Sequence, residues 1–284
     1  MKTEKAKGGA ILTLVTARSE AETIGDWAAE NLQKTVVELK LPGDAEVAIE
    51  IYFDTTTEAE IAEQALKSFP VRDSAIREYA AEEWAESWKK HFKAMDIGQK
   101  LRVCPPWLAR ESDRIELVIN PGLSFGTGNH FTTRFCLEQL DRFVPESGAK
   151  TMLDIGTGSG ILAIAAIKLG AERALGVDFD ELCVEQAILN AEANGVAEQT
   201  EFRPHDITNG WPMDETYDVV CANIYASLLI DNAATLLRVT KNYLLLTGIR
   251  EVELDGVADT FVRLGGKEIV RDCDREWSGL VISC

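Results

Sequence analysis

A chain of 284 residues with 46% hydrophobic content is long enough for a large domain with a small companion and apolar enough to bury a core. Its formal net charge of −18 repels phosphate backbones and anionic membranes and attracts basic partners, which disfavours nucleic-acid and membrane-surface functions. No apolar run is long enough for a membrane helix, and six cysteines without a CxxC pair suit reduced thiols in a cytoplasmic protein, with no metal site and no disulfide frame.

The basic N-terminus is followed by too short an apolar run for a secretory signal, and residues 10–17 (AILTLVTA) read as a buried strand. Residues 19–34 read as a helix with Ile24, Trp27, Ala28 and Leu32 on one face, and Ser19 with Glu22 resembles a capping box at its start. Strands are predicted at 36–41 and 47–53 around the turn Pro42-Gly43-Asp44, and a second helix over 57–69. Strands interleaved with two helices predict a small α+β, ferredoxin-like domain over residues 1–74. Trp84, Trp88 and Phe92 recur at helical spacing within 75–93, which predicts a linker helix over 75–94. Short strands follow at 101–104 and 115–119, with the prolines between them enforcing irregular chain.

From Lys150 strand and helix alternate, the pattern of a doubly wound α/β sheet, so residues 95–284 are expected to form one such domain. Strands are predicted at 151–155, 174–178, around Phe202, at 217–222 and at 243–248, with helices over 160–169 and up to Asn194. Residues 267–270 and 279–283 are expected to form a terminal hairpin.

The first strand of this series runs into Asp154-Ile155-Gly156-Thr157-Gly158-Ser159-Gly160. Glycines suit a sharp turn that a nucleoside must approach closely, and the helix after it offers unpaired N–H groups. Asp178 ends the second strand, where a carboxylate can accept both ribose hydroxyls of an adenosine. A dinucleotide site uses G-x-G-x-x-G, but here the third glycine arrives one residue early. Asp154 also favours a cationic sulfonium over a pyrophosphate. The pattern predicts a class I methyltransferase using S-adenosylmethionine, with Asp154, Gly156, Gly158 and Asp178 as cofactor contacts.

The segment 120–133, NPGLSFGTGNHFTT, is rich in Gly, Asn and Thr and suits a loop that covers a ligand before a helix. Asn223 ends the strand YDVVCAN at the carboxyl edge of the sheet, where its amide could orient an amine nucleophile or touch the cofactor. Nucleic-acid amino-methyltransferases often carry Asn-Pro-Pro-Tyr there, and Asn223-Ile224-Tyr225-Ala226 lacks both prolines. A cofactor-binding module without activity is the other class to separate.

These segments resemble the ribosomal protein L-eleven methyltransferase family (PrmA). The resemblance lies in NPGLSFGTGNHFTT, LDIGTGSGILAIAAIKLGA, ALGVDFDELCVEQAILNAEANGV, DVVCANIYASLL and LLLTGI, and extends upstream to WAESWKKHF. It implies a small substrate-recognition domain, a linker helix and a class I methyltransferase domain. It also implies methylation of lysine ε-amines and an α-amine of a basic ribosomal protein in the cytoplasm. Family cofactor positions then fall on Thr133, Gly156, Asp178 and Asn223, with Phe125 and Thr127 in the loop before them and Asn223 as the catalytic residue. Two positions depart from the family pattern: Asn120-Pro121 stands for an acid-Pro pair, and Asn129-His130-Phe131 for Thr-His-Pro. Residues 1–75 carry no specific motif, so another protein lysine or a small-molecule amine is the alternative acceptor. A lysine must shed a proton before attack; His130 and His205 are candidate bases by type, though a lone histidine is more often structural. A monomer is expected.

Overall fold

The computed structural model describes residues 9–32, 34, 36–41, 45–79, 92–110, 112–120, 130–211 and 215–284. Its contacts gather into two units, Met1–Lys93 and Ala94–Cys284.

In the first unit β1 (Gly9–Ala17) alternates its side chains. Ala10, Leu12 and Leu14 join Ala21, Ile24 and Ala28 of α1 (Arg18–Leu32), while Ile11 packs with Val37 and Tyr52 on the opposite face. β2 (Val36–Lys40), β3 (Glu46–Phe53), α2 (Thr56–Leu66) and β4 (Val71–Tyr79) complete the unit. The antiparallel sheet has the order β2-β3-β1-β4, which is the split β-α-β arrangement of a ferredoxin-like domain. Thr55 caps α2 by accepting from the Glu58 amide at 3.2 Å.

Two local expectations change. α1 begins at Arg18, so Ser19 lies inside the first turn and is not the cap; β1 runs straight into the helix, and the Arg18 amide donates to the Ala45 carbonyl at 3.0 Å. Residues 75–79, expected to open the linker helix, are strand: β4 pairs along β1 from Gly9↔Tyr79 to Thr16↔Val71. Sheet pairing overrides the helix-favouring Ala, Arg and Glu there. Residues 92–94, expected to end that helix, have no regular structure, and its middle, 80–91 with Trp84 and Trp88, lies outside the described residues, as does the turn at 42–44.

The second unit opens with a small sheet, β5-β6-β7, formed by β5 (Met95–Ile97), β6 (Leu101–Cys104) and β7 (Ile115–Val118). Helix α3 (Phe131–Ser147) follows, then β8 (Thr151–Ile155), α4 (Ile161–Lys168), β9 (Arg173–Asp178) and α5 (Glu181–Ala193). Next come β10 (Thr200–Pro204), β11 (Tyr217–Asn223), α6 (Ala226–Asp231), α7 (Ala233–Val239) and β12 (Thr240–Arg250). α8 (Leu254–Arg263), β13 (Lys267–Asp274) and β14 (Trp277–Ser283) close the chain.

The main sheet has the order β10-β9-β8-β11-β12-β14-β13, parallel from β10 to β12 and antiparallel through the terminal hairpin. Its central strands bury both faces, as a parallel sheet covered on two sides requires. Met152, Cys221 and Leu245 meet α3 and α4 on one side; Leu153, Val220 and Leu246 meet α6, α7 and α8 on the other. Helix α4 is buried from Ile161 to Ile167, which explains why its sequence is apolar all round. No described helix is long and apolar enough to cross a membrane.

Candidate functional site

Strand order reverses between β8 and β11, whose ends lie side by side with Ala222 opposite Ile155. Open α/β sheets hold ligands at such a switch point, beyond the carboxyl ends of the strands. The glycine loop leaves β8 at this place. Gly156, Gly158 and Gly160 have φ of +74°, +51° and +79°, left-handed values that side chains with a Cβ rarely adopt. The amides of Gly156 and Thr157 both donate to the Val177 carbonyl, at 2.9 and 3.0 Å, which pins the loop to the end of β9.

Two carboxylates flank the loop. Asp178 accepts from the Gly158 amide at 2.9 Å through Oδ2 and from the Asp180 amide at 3.1 Å through Oδ1. Asp180 in turn caps α5 by accepting from the Leu182 amide at 2.9 Å. The strand-end acid, the glycine loop and the next helix are thus locked together. Asp154 is 0% exposed; its Oδ2 accepts from Thr157 Oγ1 at 2.7 Å, while Oδ1 has no hydrogen-bond partner among the described residues. Burial pushes its pKa up to about 7, opposed by the Thr157 hydrogen bond and the Ala163 amide and reinforced by the charge of Asp178. A buried carboxylate with an unmet oxygen is costly. It is relieved by a proton or by a cationic ligand.

Asn223 ends β11 opposite Thr247, half-buried, and its side chain makes no hydrogen bond to a described residue. The residue after it is held from two sides. A Cβ on Gly156 would lie 2.6 Å from Ile224 Cγ2, and a Cβ on Gly248 would lie 2.9 Å from the Ile224 carbonyl carbon. Glycine at 156 and 248 therefore admits Ile224 between them and sets where Asn223 stands.

Of the predicted site residues, Asp154, Gly156, Gly158, Asp178 and Asn223 come together at this edge. Thr133 lies in the first turn of α3, which packs on α4; it is buried, with Oγ1 unpartnered among the described residues. Phe125 and Thr127 lie outside the described residues. His130 caps α3, its Nδ1 accepting from the Thr132 amide at 3.3 Å, and its ring meets Trp277 edge-on. His205 Nε2 lies 2.9 Å from the Gly210 carbonyl, and its ring meets Trp211 edge-on. Both histidines are tied into local structure.

Three contributors escape a sequence reading. Thr157 supplies the hydroxyl that partners Asp154, and a hydroxyl three residues after an acid inside the glycine motif was the available signal. The His205 amide donates to the Asp178 carbonyl at 2.7 Å, a pairing that only sheet register reveals. Phe179, directly after Asp178, is 79% exposed, an aromatic face left open beside the Asp178 carboxylate.

A family model described as ribosomal protein L11 methyltransferase (PrmA) matches residues 4–283. The chain belongs to that family. A ribosomal protein L11 methyltransferase of Desulforamulus reducens is 38% identical over 205 residues, covering 71% of this chain and 65% of that protein. One from Pectobacterium atrosepticum is 35% identical over 272 residues, covering 88% and 90%. The crystal structure of a ribosomal protein L11 methylase from Lactobacillus delbrueckii subsp. bulgaricus superposes with a TM-score of 0.61 at 28% identity, over 68% of this chain and 98% of that one. For a ribosomal protein L11 methyltransferase family member of this fold the cofactor is S-adenosylmethionine. The residues present fit it. The unmet Oδ1 of Asp154 suits a cationic ligand, and Gly156, half-buried and without a side chain, permits a nucleoside to approach the end of β8 closely.

Proposed function

We propose that this protein transfers methyl groups from S-adenosylmethionine to amines of ribosomal protein L11, namely lysine ε-amino groups and the N-terminal α-amino group. The observation that carries this reading is the set Asp154, Gly156, Gly158, Asp178 and Asn223 at the switch point of a sheet in a chain matched to this family over residues 4–283. When bound, S-adenosylmethionine supplies a methyl group already activated on a sulfonium.

The protein's own work is then alignment, desolvation and charge. The Asp178 carboxylate, fixed by two backbone amides, accepts the ribose hydroxyls, and the exposed ring of Phe179 offers the adenine an apolar face. The Asp154 carboxylate compensates the positive charge of the methionine portion, with Thr157 fixing its orientation. The buried Thr133 hydroxyl completes the contacts made by described residues, with Phe125 and Thr127 the further ones expected from the sequence.

Asn223 serves the acceptor. Its carboxamide has no partner in the described structure, so its oxygen is available to receive an N–H of the incoming amine and direct the nitrogen lone pair. A lysine with a reference pKa of about 10.4 gives up its proton more readily in a partly apolar site near positive charge. Neither described histidine is assigned as base, because His130 and His205 are both engaged locally. The acidic surface, at −18 overall, suits a basic protein and not nucleic acid. The unit Met1–Lys93 is assigned to substrate recognition and Ala94–Cys284 to catalysis, in a monomer working in the cytoplasm.

Titration calorimetry with S-adenosylmethionine tests the donor site: Asp178→Asn should weaken binding by about tenfold or more, as expected for losing charge-assisted hydrogen bonds. Unchanged affinity would remove Asp178 from the site. L11 purified from cells lacking the enzyme should gain methyl groups on lysines and the α-amine when incubated with protein and cofactor, as read by peptide mass spectrometry. Methyl transfer to a small amine but not to L11 would reassign the acceptor.

A further inference from the structure

We propose that Asn190 is a positioning residue for the glycine loop, its side-chain amide fastening the loop at Ser159 to the chain at Asn120. This rests on the reading that the loop holds S-adenosylmethionine.

A carboxamide offers one oxygen acceptor and an NH2 donor, the same pair that a peptide unit offers. Helix α5 and the residue that caps its C-terminus present two of them, Asn190 and Asn194, four residues apart and so on one face. Both are buried, at 1% and 9% exposure. The strand they face, β7, pairs only with β6 among the described strands, so its far edge has no strand neighbour. Asn194 stands in for one. Its Oδ1 accepts from the Val118 amide at 2.9 Å, and its Nδ2 donates to the Val118 carbonyl at 2.6 Å and to the Asn190 carbonyl at 2.8 Å. This is ordinary satisfaction of an orphaned edge.

Asn190 divides its groups differently. Its Oδ1 accepts from the Asn120 amide at 3.1 Å, and from Gln186 Nε2 at 3.4 Å, while its Nδ2 donates to the Ser159 carbonyl at 2.8 Å. Ser159 lies between Gly158, whose amide is given to Asp178, and Gly160, which begins α4. The loop is therefore held from both sides by the β9–α5 connection: Asp178 takes its amide and Asn190 takes its carbonyl. Left-handed glycines have little intrinsic preference for one conformation, so such external hydrogen bonds select the one that presents the loop to a ligand. Asn190 also ties that geometry to the chain that leads into NPGLSFGTGNHFTT. It falls within ALGVDFDELCVEQAILNAEANGV, but nothing in that stretch alone gives its partners at Ser159 and Asn120.

Three variants separate positioning from plain stability. Asn190→Asp is nearly isosteric and keeps the acceptor for Asn120, but sets a carboxylate oxygen against the Ser159 carbonyl. Asn190→Ala removes both bonds, and Asn194→Ala removes only those to Val118 and the Asn190 carbonyl. Calorimetry with S-adenosylmethionine, thermal melts and initial rates at saturating cofactor would be read on each intact protein. Both Asn190 variants should raise the Kd for the cofactor by about tenfold with kcat changed much less, whereas Asn194→Ala should lower the melting temperature but leave Kd within about twofold. Wild-type-like Kd in Asn190→Asp, or an equal loss of affinity in Asn194→Ala, would overturn the proposal while leaving the cofactor assignment standing. Failure of the unaltered protein to bind S-adenosylmethionine would overturn both.

Discussion

Asp154 shows how a single buried side chain can connect fold, ligand and pH. Its neighbours are the Thr157 hydroxyl, the Ala163 amide, the Asp178 carboxylate and, from β11, the Cys221 thiol, which burial pushes well up. None of them supplies a positive charge. With its pKa near 7 in the folded protein against about 3.9 in an unfolded chain, Asp154 keeps a proton after folding that the unfolded chain has lost. Its contribution to stability is fully present below about pH 4 and is lost as pH rises through about 7. A cationic ligand reverses the preference and favours the ionised carboxylate. Cofactor affinity should therefore rise between about pH 6 and pH 8 in wild-type protein, and Asp154→Asn should bind more weakly with a flat profile. Calorimetry across that range, in buffers of different ionisation enthalpy, would also register proton release on binding. A pH-independent Kd in the wild type would mean that Asp154 is already ionised or does not face the ligand. The acid at position 154 is legible in the sequence, but its missing partner is not, because that depends on which side chains the sheet brings around it.

Among the elements, those with a strong period are legible and those fixed by pairing are not. The strands of the parallel sheet announce themselves as short apolar runs, since both of their faces are buried. Helices α3 and α8 carry equally clear helical spacing, Cys136, Leu140, Phe143 and Val144 in one and Leu254, Val257, Ala258 and Phe261 in the other. A helix is expected after 120–133 without its bounds, whereas α8 is not anticipated. Phe261 is fully buried beneath the sheet face opposite α3 and α4, so Phe261→Ala should cost about 3–5 kcal/mol, measured by urea denaturation. Cofactor affinity of the folded fraction should be unchanged, because that residue lies in the cluster formed by α6, α7 and α8. A loss below about 1 kcal/mol would mean the site collapses around the deletion. Strand β4 is the opposite case: VRDSAIREY has helix formers at its end, and only hydrogen bonding along β1 decides for strand.

At the scale of the whole molecule, the charge of −18 acts on substrate encounter and not on the cofactor pocket. The KM for a basic protein acceptor should rise as salt is increased from about 50 to 300 mM, with the Kd for S-adenosylmethionine changing little, since exposed charges are screened and buried ones are not. A salt-independent KM would place the acceptor contacts in apolar or local features instead. What the sequence by itself determines is the alternation of strand and helix, the glycine turn and the acid that ends the next strand. These depend on constraints between near neighbours, such as backbone angles that need glycine and apolar periods that need a covered face. The tertiary structure decides the rest: that Gly158 gives its amide to Asp178, that Ile224 fits between Gly156 and Gly248, and that Asn190 and Asn194 clasp chain 70 and 76 residues away. Each of these depends on strand order and register, which are set by how the whole sheet assembles and not by any local stretch of chain.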